Sequence, residues 1–187
     1  MIDVGYQMPL FEWYSIHVEF AQRREWVLGG LRSNWQRVQE LADEEIIFRY
    51  WSPDLIVPID LYDYERTIEK RARTAGSFDY EARIQYVGDD QLWRLYPGPL
   101  ETPLPDGEIF QGCLVLTFIA GNDADAKRII EAKLDRIKPI LEMQRDRIDE
   151  FHLTLTEVIR AEIDRLRAGG GACSAPGGHA PQPHPIS

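Results

Sequence analysis

Asp54, Glu81 and Arg83 are the residues whose types and order come nearest to a catalytic pattern in this chain. A metal-dependent nuclease of the restriction-endonuclease type holds a divalent cation with an Asp and an acidic-x-Lys strand, the Lys helping to activate water. Here Pro53-Asp54 precedes Glu81-Ala82-Arg83. Arg stands where Lys is required, and a guanidinium neither deprotonates nor ligates a metal. Glu81 and Arg83 also fall on the polar face of an alternating strand, where a solvated ion pair is the ordinary use. Asp60 and Asp63, in the run Ile59 to Glu65, are the carboxylates that could join such a site. Their spacing matches no defined cation loop.

Two other constellations invite chemistry. His17-x-Glu19 sets an imidazole and a carboxylate two positions apart, yet the next histidine is His152. Trp93 and Tyr96, with the proline-rich stretch after them, could form a shallow groove for a ligand or peptide, although aromatics more often fill a core. No GxGxxG, GxxxxGK[ST], GxSxG, HExxH or paired CxxC occurs, so neither cofactor nor metal is expected and the balance falls against an enzyme.

Charge narrows the partners. The net charge is −10 over 187 residues. The segment from Trp51 to Phe110 has 12 acids against 6 bases, which disfavours a nucleic-acid groove or an anionic membrane surface. No apolar run approaches the ~18 residues of a membrane span. Two cysteines, Cys113 and Cys173, make no disulfide framework. The chain reads as a cytoplasmic protein.

The elements that position these residues follow from periodicity. Phe78 to Tyr86 alternates apolar and polar, the signature of a half-buried strand, and Gly88-Asp89-Asp90 turns the chain so that Gln91 to Tyr96 can return antiparallel. Leu114 to Ile119 is apolar on both faces, a central strand. Leu55 to Leu61 is a further strand, which Pro58 confines to an edge or bulge. Near the start, Leu31 to Glu45 reads as a helix set off by Gly29-Gly30. Tyr14, Ile16, Val18 and Phe20 alternate, suggesting strand or loop near residues 13–20, while the following AQRREWVL suggests helix.

The strongest periodicity runs from Asn122 or Asp123 to Arg167. Asn122, Asp123 and Asp125 supply a cap and acidic first turn, and Gly169 to Gly171 stop the pattern. In heptads from Ile130, the a positions are Ile130, Ile137, Gln144, Phe151 and Val158. The d positions are Leu134, Leu141, Ile148, Leu155 and Glu162. Eight of these ten are apolar, a coiled-coil-like seam. A continuous helix of this length reaches about 65–70 Å, more than a compact body of this size is expected to cover. It therefore projects, kinked at Pro139, or folds back as a hairpin; the lack of a turn signal favours the long helix.

The expected architecture is α+β: a small, mainly antiparallel sheet of three to five strands and an N-terminal helix in residues 1–121, the long helix in 122–167, and a disordered Gly/Pro-rich tail in 168–187. The expected function is non-enzymatic interaction or assembly. The seam of Ile130, Leu134, Ile137, Leu141, Gln144, Ile148, Phe151, Leu155 and Val158 would carry self-association or docking on a larger protein, with Gln144 fixing register. The alternative is a metal-dependent hydrolase or nuclease-like enzyme using Asp54 and Glu81 with Arg83.

Overall fold

The computed structural model describes residues 8–12, 14–52, 55–73, 76–98 and 104–170. The tail read as disordered lies, from residue 171 on, outside the described residues, as does Asp54. The fold is α+β, as expected. A five-stranded, mainly antiparallel sheet is built from β1 (Met8–Pro9), β6 (Asp106–Phe110), β7 (Cys113–Ala120), β4 (Phe78–Val87) and β3 (Asp60–Ala72), in that spatial order. The helices are α1 (Ile16–Val38), α2 (Asp43–Trp51) and α3 (Asp123–Gly170). A second, parallel pair joins β2 (Tyr14–Ser15) to β5 (Leu95–Tyr96).

β4 and β7 form the centre of the large sheet, paired from Phe78↔Ala120 to Gln85↔Cys113. The hairpin between β6 and β7 turns through Gln111 and Gly112, both with positive φ, the backbone that matches the twist of the flanking strands. Alternation sorts the faces. Tyr80, Ala82, Ile84 and Tyr86 of β4 lie with Leu114 and Leu116 of β7 in the core, and the residues between them face outward.

α3 covers the inner face with Ile130, Leu134, Ile137 and Leu141, and its second half continues between α1 and α2 with Ile148, Phe151, Leu155, Ile159 and Ile163. Its 48 residues run through Pro139 as one helix, about 72 Å long at 1.5 Å per residue. The rod is thus flanked by the chain itself on one side throughout. The expected projection is corrected: the sheet covers the first half, and α1 and α2 extend the body along the second.

Three local readings are also corrected. α1 is continuous across Gly29-Gly30 and takes in residues 16–20 of the segment read as strand or loop near 13–20, of whose described residues only Tyr14–Ser15 are strand. Ile16 and Phe20 satisfy both a two-residue and a four-residue period, and the exposed Val18 shows that the helical one operates. Gly30 remains useful inside the helix, because α2 brings Tyr50 Cε1 to 3.5 Å from where its Cβ would be. The early edge strand begins at Asp60 instead of Leu55. Gln91 to Tyr96 does not return antiparallel; Asp90–Arg94 makes a 3-10 turn and β5 pairs parallel with β2.

Candidate interaction surface

Eight of the nine seam residues, Ile130, Leu134, Ile137, Leu141, Gln144, Ile148, Phe151 and Leu155, are buried within the single chain, and Val158 is half-buried. The seam is core, so it presents no free edge to a partner. Gln144 fixes a register, but an internal one: its Nε2 donates to the carbonyls of Leu92 at 2.7 Å and Leu95 at 2.5 Å. Glu162, the polar d residue, accepts from Arg32 of α1 at 2.7 Å and from Arg165 at 2.5 Å. These guanidiniums hold its carboxyl down at about 2, with the Arg165 hydrogen bond the largest cause. A heptad count finds the greasy side of a helix but does not say which chain covers it, because an internal sheet wants the same stripe as a second helix.

The carboxylates of the alternative enzyme reading separate into ordinary roles. Glu81 accepts from Arg83 Nε at 2.7 Å, which keeps that guanidinium charged. Asp60 is bound by Arg145, and the side chain of Asp63 lies outside the described residues. Among the described residues, no three His, Cys, Asp or Glu side chains gather closely enough to hold a metal ion. His17 and Glu19 sit on the first turn of α1, where Glu19 pairs with Arg23 at 2.8 Å. Trp93 is buried between Phe11 and Tyr86, with ring centroids 5.7 and 5.4 Å away, so it lines no open groove.

A cluster that spacing does not reveal pins the start of α3 to the sheet. Lys70 Nζ and the Tyr80 hydroxyl both donate to Asp123 Oδ1, each at 2.6 Å, while Lys70 stands 4.1 Å above the Phe78 ring. The ammonium foremost, then the phenol, holds the Asp123 carboxyl below its usual range. Burial foremost pushes the Tyr80 phenol up. Asp123 therefore stays ionised and Tyr80 protonated, which makes a clamp. The two strand residues come together only through the β3–β4 pairing Lys70↔Tyr80.

The outer face of the sheet is the surface left open. It carries Glu69 and Arg71 of β3, Asp79, Glu81 and Arg83 of β4, Val115, Thr117 and Ile119 of β7, and Glu108 and Phe110 of β6. A depression of about 720 Å³ runs across these strands. Phe110 and Ile119 are 46% and 51% exposed there, whereas a solvated sheet face normally alternates to polar side chains. The acids are neutralised locally: Glu69 by Arg71 at 3.3 Å, Asp79 by Arg73 at 3.4 Å and Glu81 by Arg83. The sequence held one sign of this face, an LVLTFI strand with no polar alternation. That pattern predicts burial on both sides; on the outer side Val115 is buried among its neighbours, while Ile119 stays exposed.

No family model matches the chain, and comparison with curated proteins and with solved structures finds no match. No helix among the described residues is long and apolar enough to cross a membrane.

Proposed function

We propose that this chain is a non-enzymatic interaction or assembly protein whose docking surface is the outer face of its sheet. The observation that carries the reading is the exposure of Phe110 and Ile119 beside ion pairs already closed within the same face. Such a face can lose its water without stranding these charges alone, although each ion pair is itself costly to desolvate. Its apolar side chains gain by burial, and its charges keep their partners when water leaves. The seam of α3 serves instead to unite the sheet with the helical end, which gives the face a rigid backing. The free thiol of Cys113 on this outer face suits a reducing compartment, so the reading places the protein in the cytoplasm.

The test is in-cell photo-crosslinking. A photoreactive side chain at Phe110 or Ile119 is expected to give covalent adducts, and one at the exposed Leu153 on the far side of α3 is not. Adducts no more frequent from the sheet than from Leu153 would sink the reading.

A further inference from the structure

The outer face is complementary to itself. Its strand register sets three rows across β3, β4 and β7: Arg71, Asp79 and Ile119; then Glu69, Glu81 and Thr117; then Thr67, Arg83 and Val115. We infer that the occupant of this face is a second copy of the chain, the two sheets stacked face to face about a two-fold axis crossing β4 between Glu81 and Arg83. This inference rests on the reading of the outer face as a docking surface. The axis lays Glu81 over the copy's Arg83 and Arg83 over the copy's Glu81. On β7 it lays Thr117 over the copy's Val115 and Ile119 over its Cys113, and on β4 Asp79 over its Gln85. No like charges are superposed among these pairs on β4 and β7, while on β6, at the margin of the contact, the same axis brings Glu108 to the level of the copy's Asp106. An axis through Glu81 itself would stack that carboxylate on its own image, which is repulsive.

Two further observations favour a copy of this chain. Each molecule carries a charge of −10, so copies approach readily only through a surface that adds little to their repulsion. Here Glu69, Asp79 and Glu81, the acids of β3 and β4 on this face, each have an arginine beside them, and the acids left over, Asp106 and Glu108, lie at its β6 margin. The size also suits a modest symmetric contact. Eight paired residues on β4 and β7 and four strands in width give a footprint of roughly 19 by 26 Å at ordinary strand spacings. With side-chain relief this stands near the lower end of specific interfaces, the size class of weak and transient contacts. Stacked antiparallel sheets tolerate such contacts at about 10 Å separation.

The experiment is sedimentation of the full chain from about 1 to about 300 µM, a range that brackets micromolar dissociation constants. Wild type is expected to dimerise, and its Cys113 to be alkylated more slowly as concentration rises. Glu81→Arg and Arg83→Glu each put like charges opposite one another and are expected to weaken dimerisation about tenfold or more. An equal mixture of the two variants is expected to recover a heterodimer, since one face is then all cationic and the other all anionic at these positions. Loss of the internal ion pair cannot produce that recovery. Should either charge variant fail to melt cooperatively, Ile119→Lys carries the same test, with dissociation expected. A wild type that stays monomeric throughout overturns the inference, as does a dimer indifferent to all three substitutions. A monomeric wild type with in-cell adducts from Phe110 and Ile119 to a different protein defeats self-pairing alone and leaves the docking face standing.

Discussion

Arg32 of α1 and Glu162 of α3, 130 positions apart in sequence, close to 2.7 Å. Glu162 is only 8% exposed, and Arg165 completes its coordination from the next turn. The carboxylate belongs to the same buried arc as Ile159 and Ile163, and the two guanidiniums are what allow a charge to sit there.

Acid is expected to loosen this contact. The folded carboxyl titrates at about 2, below the ordinary ~4.3 of an unfolded Glu. Its stabilisation is therefore fully present above the unfolded value and is lost as pH falls from about 4.3 towards 2. Glu162→Gln should lower stability by about 1–2 kcal/mol at neutral pH and flatten that part of the acid-unfolding curve. Denaturant titrations of both proteins from neutral to acid pH read the difference; parallel curves would contradict it.

His152 adds a second, milder acid response. Its Nε2 accepts the backbone N–H of Ile56 at 3.2 Å, and Trp51 lies edge-on with ring centroids 5.7 Å apart. Burial foremost depresses its pKa; Arg23 lowers it further and Asp149 opposes the shift. The folded protein thus prefers the neutral ring, and an unfolded chain takes up a proton first as pH falls below the ordinary ~6.5. Stability is expected to be full above that value and to decline below it until the folded ring also protonates. The protection factor of the Ile56 amide, its slowing relative to a free amide at the same pH, should fall over the same window. An Ile56 amide whose protection ignores pH would refute the hydrogen bond's role.

Gly29 offers a gain. It lies inside α1 with nothing within 4 Å of where its Cβ would stand. Gly29→Ala should stabilise the protein by about 0.5–1 kcal/mol through the lower entropy of the unfolded chain. A raised thermal midpoint checks it.

Gln144 should resist replacement. It is 1% exposed, and its amide serves two carbonyls of the 3-10 region. Gln144→Leu leaves both without this donor and should cost about 1–3 kcal/mol. Gln144→Glu should cost more at pH 7 than at pH 5, because an ionised carboxylate would face carbonyl oxygens where the amide donates. Equal losses at the two pH values would argue against that geometry.

The long helix and the central strands were legible because each has a single strong period. Asp123 opens α3 where its cap and acidic turn predict, and Phe78 to Tyr86 alternates as the half-covered strand β4 requires. The seam was legible as an apolar stripe and not as an interface, since covering it depends on α1 and α2, whose positions arise from tertiary contacts such as Phe20 stacked on Phe151 at 4.4 Å. α1 was obscured at both of its weak points, where Ile16 and Phe20 fit two periods and Gly29-Gly30 mimics a stop. The clamp of Lys70, Tyr80 and Asp123 was invisible for another reason: its members share no local pattern and meet only through strand register and the entry of α3.

The two ends of α3 are tied to different parts of the body, Asp123 to Lys70 and Tyr80 of the sheet and Arg167 to Asp43 and the Leu41 carbonyl at the other extremity. One unbroken girder thus spans what would otherwise be two half-cores, neither closed without it. Melting should be a single event seen alike by sheet and helices, and truncating the last three turns of α3 should abolish the whole fold instead of trimming one end.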